Sequence, residues 1–155
     1  MHHRMDWTRV IVAGLVGTVV FDVVGFLLTA MMGTPTWWDV PRLLGMKTNL
    51  GLAAGVFQHY GNGVILSILF AALAPHLWGP VWFRVLFYIT VQTVFGVWLF
   101  MMPLLDMGIA GLKSPMGMMA PVGSILRHWG YGLVLAFLVP VPEAVPSPAP
   151  ERAGL

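Results

Sequence analysis

The sequence predicts an all-α, polytopic membrane protein whose four spans form a transmembrane helix bundle, and three observations predict it. Of 155 residues, 58% are hydrophobic and only 9% charged, against about 25% charged in an average soluble domain. A water-facing fold of this composition would expose apolar patches larger than monomers tolerate. The apolar residues also gather into runs at about 10–32, 50–74, 81–102 and 122–139, each near the roughly 20 residues that cross a hydrocarbon core at 1.5 Å per residue. Finally, the runs are separated by connections rich in Pro, Gly and Trp, as interfacial segments are.

The same composition excludes several functions. A net charge of +2 is too thin and dispersed for a nucleic-acid partner, so the bilayer is the expected surroundings. With no cysteine, disulfides, thiolate metal sites and covalent haem attachment are ruled out. No nucleophile elbow, phosphate loop or metalloprotease helix motif is present, and the chain is not expected to be an enzyme.

Residues 1–9 form a short polar and basic segment with His2, His3, Arg4 and Arg9. The first span, 10–32, is longer than the apolar core of a signal peptide and carries Asp22, so it is expected to be retained. Its Gly14-x-x-x-Thr18 spacing gives a face on which another helix can pack closely. Asp22 lies near mid-span, where a carboxylate demands a partner or a proton. It reads as a hydrogen-bonded pin, as a proton site, or as an acceptor behind a histidine.

Residues 33–49, with Trp37, Trp38, Asp39, Pro41, Arg42 and Lys47, read as an interfacial connection. The second span ends at Pro75, and the turn through His76, Gly79 and Pro80 makes the second and third spans antiparallel neighbours. In the third span, Gln92 and Thr93 could hydrogen-bond to another helix. A methionine-rich connection with Asp106 and Lys113 follows, and the fourth span carries Arg127 and His128 early. Residues 140–155 read as a proline-rich, disordered tail. Four spans put both termini on one side, and Arg4 and Arg9 before the first span favour the cytoplasm.

His59-Tyr60-Gly61-Asn62-Gly63 recurs as His128-Trp129-Gly130-Tyr131-Gly132, which suggests two repeated helix pairs. Both histidines begin spans entering from the same side, so they share a depth. Gly63 and Gly132 each stand four residues beyond a histidine, on its face. Three readings stay open. His59 and His128 could ligate one b-type haem, with Gly63 and Gly132 making room and Arg127 meeting a propionate. Met101, Met102, Met107, Met116, Met118 and Met119 with His128 could hold Cu(I). Or Asp22, His59, Gln92 and His128 are interhelical glue in an accessory subunit, a homo-oligomer or part of a larger membrane complex. In a carrier variant of that last reading, Asp22, Gln92 and the histidines relay protons.

The first span's Gly14, Gly17, Thr18 and Asp22, followed by His-Tyr-Gly in the second, resembles small four-span bacterial integral membrane proteins grouped as a domain of unknown function. The resemblance covers most of the chain up to Val139. It implies a bacterial inner-membrane location and lends no activity or functional residue.

Overall fold

A computed structural model describes residues 5–141, and these are helical, without strands. The helices are α1 (Trp7–Met31), α2 (Asp39–Lys47), α3 (Gly51–Leu73), α4 (Val81–Leu104) and α5 (Met119–Leu138), with single 3₁₀ turns at Ala74–His76 and Ile109–Gly111. Three stretches, Trp7–Met31, Gly51–His76 and Val81–Leu104, are long and apolar enough to cross a membrane. α5 is of similar length, but Arg127 and His128 interrupt its apolar run. The proline-rich tail expected at 140–155 lies, from residue 142 on, outside the described residues.

α1 starts at Trp7 rather than Val10, because Asp6 caps it by accepting from Arg9 N at 3.1 Å. It packs between α3 and α5, and α5 in turn packs on α4. The packing is inside-out relative to a soluble bundle. The face of α1 that is buried carries Ala13, Gly14, Gly17, Thr18, Phe21, Asp22, Gly25 and Thr29, whereas Leu15, Val16, Val19, Val23 and Leu27 face outward. Phe57, Phe95, Phe100 and Phe137 are likewise more than half exposed. Small and polar residues on the buried face of α1 with large apolar residues outside suit a lipid solvent, where close backbone approach and interhelical hydrogen bonds add to the apolar packing of Phe70, Val85, Ile89, Tyr131 and Leu135.

The glycines set that approach. A Cβ at Gly63 of α3 would fall 1.9 Å from the Thr18 hydroxyl, and one at Gly14 would meet the Val64 backbone. The Gly14–Thr18 face therefore packs on α3, as its spacing predicts. The Ser67 hydroxyl closes the other end of this seam by donating to Val10 O at 2.7 Å.

The connection read at 33–49 contains a short helix, α2, that the sequence reading did not assign. After a left-handed Trp38 (φ 56°) the chain forms a helical segment of two and a half turns that packs on the start of α3. The contact is backbone to backbone, since a Cβ at Gly55 would meet Pro41 O at 1.9 Å. Its last residue, Lys47, pairs with Asp106 of the α4–α5 connection, both side chains being well exposed.

α4 is irregular as well. Thr93–Met101 is π-helical, and the Thr93 hydroxyl donates to Ile89 O of its own helix at 2.7 Å. Such back-bonding bends a helix and replaces the cross-helix bond expected of Thr93. Contacts to neighbours come instead from Tyr88, whose hydroxyl donates to Leu66 O of α3, and from Thr90, which accepts from Trp129 Nε1 of α5 at 3.0 Å.

Candidate functional site

Asp22 is the centre of the polar site. It is 3% exposed and both of its oxygens are engaged by α3: Oδ1 lies 3.0 Å from His59 Nε2, and Oδ2 accepts from the Tyr60 hydroxyl at 3.0 Å. The arrangement follows from the local sequence. Asp22 is four residues beyond Thr18 and eight beyond Gly14, so the helix period that presses those two onto Gly63 also aims the carboxylate at α3. The adjacent His59 and Tyr60 then take one oxygen each. One proton lies between Asp22 and His59, and a second is supplied by Tyr60.

His128 reaches the same depth on α5, but its partner is local. Its Nδ1 is 2.7 Å from Ser124 O. A backbone carbonyl only accepts, so Nδ1 carries the hydrogen and Nε2 of the neutral ring holds the lone pair. The Ser124 hydroxyl accepts from Trp98 Nε1 of α4 at 3.3 Å.

Between the two imidazoles stands Phe21. Its ring meets His59 edge-on at 5.3 Å between centroids and His128 at 4.9 Å, and the Arg127 guanidinium carbon lies 5.6 Å from its centre. The open slot that a bis-histidine haem requires is thus filled by a side chain. With the Phe21 ring between the two imidazoles, the residues as placed do not fit the haem. Gly63 and Gly132 serve helix packing instead, against Thr18 of α1 and against Val85 and Ile89 of α4. Among the described residues no group of three or more His, Asp or Glu side chains is disposed to hold a metal ion. Of the methionines, Met102 packs its sulfur on Gly111 and Met116 its methyl near Gly123, while Met118 is 74% exposed.

Arg127 does not await a propionate. Its Nη1 pairs with Asp39 of α2 at 2.7 Å and 2.9 Å to the two carboxylate oxygens. Room for the guanidinium comes from Gly25 of α1, where a Cβ would fall 2.6 Å from its carbon. The chain shows no significant match to protein-family models, to curated proteins or to solved structures.

The structure brings Asp22, His59, His128 and Arg127 into one cluster around Phe21, and leaves Gln92 outside it. The Gln92 side-chain oxygen is buried without a hydrogen-bond partner, and its amide nitrogen lies near Gly96 of the same helix. Phe21 and Asp39 are the members not singled out as functional from sequence. Phe21 stands four residues from both Gly17 and Gly25, a spacing that marks it as inward-facing. Asp39 could have been sought as the counter-ion that an arginine inside an apolar run demands.

Proposed function

We propose that this chain is a four-span integral membrane protein of a bacterial inner membrane, with cytoplasmic termini, that acts without chemistry of its own as an accessory subunit. α5 is the fourth span, and α1 with α3 and α4 with α5 form the two repeated helix pairs. The observation that carries this reading is the engagement of both Asp22 oxygens by His59 and Tyr60 of a second helix. Both oxygens of this side chain are turned to joining α1 to α3. Arg127 with Asp39 does the same for α5 and α2. Buried polar groups used this way specify which helices meet and in what register. The resemblance to small four-span bacterial proteins agrees with the location. The test is purification from native membranes with Asp22→Asn, His59→Gln and wild type compared: an accessory subunit brings a defined partner polypeptide, reduced in the variants. Wild type purifying alone after mild solubilisation and cross-linking overturns this reading.

A second reading, proton-coupled transport, is supported by one specific feature. Tyr60, Asp22 and His59 form an unbroken hydrogen-bonded chain of exchangeable protons, with His128 across the Phe21 ring. Proteoliposomes carrying a pH-sensitive dye test it. Proton flux in wild type that Asp22→Asn abolishes would favour transport over the accessory role, and flux equal to that of empty liposomes would exclude it.

A further inference from the structure

Asn62 is left unexplained by the packing of a single chain. It is the central residue of α3, about 16 Å from either end at 1.5 Å per residue, and it is exposed on the outside of the protein. Neither its amide nor that of Gln58, one turn earlier and half-buried, hydrogen-bonds to another described residue. Gly61, beside them, has open space where a Cβ would stand, and Ile65 continues the stripe at 55% exposure. These positions share one helix face. In hydrocarbon an unpaired amide is costly, and asparagine is too short to carry its head to the interface as lysine and arginine do.

We infer that the Gln58, Gly61, Asn62 and Ile65 face of α3 is where two copies of this chain meet in the plane of the membrane. The inference rests on α3 crossing the bilayer. The choice of a second copy follows from symmetry. Copies of one chain insert in the same direction, so about a two-fold axis along the membrane normal Asn62 meets Asn62 at the same depth. An amide carries both donors and an acceptor, which makes the pair reciprocally satisfied, as an isologous interface requires. A different protein would need a polar side chain of its own placed at that depth. Gly61 lets the two backbones approach closely enough for these short side chains to touch.

The absence of cysteine makes the test direct. Asn62→Cys and Ile65→Cys are made singly, with Val19→Cys on α1 and Phe95→Cys on α4 as outward-facing controls, and oxidised in native membranes. Disulfide-linked dimers at 62 and 65, absent from the controls, are the expected result. In detergent or lipid discs, Asn62→Leu should weaken dimerisation about five- to thirtyfold. The proposal is overturned if the controls cross-link in place of 62 and 65, if the Asn62→Cys thiol is captured by a different polypeptide, or if Asn62→Leu leaves the dimerisation constant unchanged. A membrane-impermeant maleimide separates the two levels of failure. Ready labelling of the Asn62→Cys thiol in intact membranes would show that α3 does not cross the bilayer, whereas a shielded thiol with no dimer overturns the interface alone.

Discussion

At the scale of residues, the buried ionisable groups differ in what each leaves behind when its partner is removed. Asp22→Leu strands His59 and Tyr60 together, whereas Asp22→Asn keeps an oxygen for Tyr60 and loses the shared proton. A double-mutant cycle between Asp22→Asn and His59→Gln, read from unfolding in detergent, should give a coupling of about 0.6–1.7 kcal/mol, the range found for interhelical bonds in membranes. The Arg127–Asp39 pair should be asymmetric. Asp39→Asn leaves a guanidinium whose side chain is 7% exposed without a counter-ion, while Arg127→Met leaves a carboxylate that is 31% exposed and can be hydrated. Asp39→Asn is therefore expected to cost about 3–5 kcal/mol and Arg127→Met less, measured in the same unfolding assay; equal costs would contradict the burial argument. Asp22 and Arg127 were legible in the sequence because a charge within an apolar run is conspicuous. A histidine partner for Asp22 was within that reading, whereas the counter-ion of Arg127 was not, since Asp39 is 88 positions away and nothing local announces the pairing.

Among the elements, the glycines of α3 separate packing from mere permissiveness. Gly61 and Gly63 are two residues apart, yet a Cβ at one meets nothing and at the other the Thr18 hydroxyl. Gly61→Ala should be neutral for the folded chain or stabilise the helix by about 0.5–1 kcal/mol. Gly63→Ala should destabilise by about 1–3 kcal/mol through overpacking, and thermal unfolding of the two variants in the same detergent checks the sign difference. The α1 stripe of Gly14, Thr18 and Asp22 was readable because its spacing matches the helix period. α2 was hidden because two prolines and two tryptophans within 33–49 read as an interfacial connection, and the close approach of Pro41 to Gly55 that stabilises it depends on a distant glycine. The π-helical stretch of α4 leaves no comparable mark in its composition.

For the whole molecule, the inside-out distribution of residues is the argument for lipid, and topology is its test. With four spans, Leu77 in the α3–α4 turn lies on the side of the termini, and Ser114 in the α4–α5 connection lies on the other. Leu77→Cys and Ser114→Cys, labelled by an impermeant maleimide in intact and in opened cells, should react in opposite patterns. Reaction of both from the same side would mean that α4 does not cross, and α5 would then lose its place as a span. The all-helical class, with helices long and apolar enough to cross a membrane, was readable from run lengths alone. The order of packing, with α1 and α5 central and α4 peripheral, was not, because it depends on which small residues meet across helices.

α2 is held at its two ends by ion pairs of unequal character, Asp39 to the buried Arg127 and Lys47 to the open Asp106. Dissolved salt screens the exposed pair far more than the sheltered one. Rising ionic strength should therefore loosen the Lys47 end of α2 slightly, within the limits set by the packing of Gly45 on Gly51, while its first turn stays anchored. Amide hydrogen exchange would show this as faster exchange around Leu44–Lys47 in high salt with little change near Pro41, giving the protein a salt-responsive element at the rim of an otherwise salt-insensitive core.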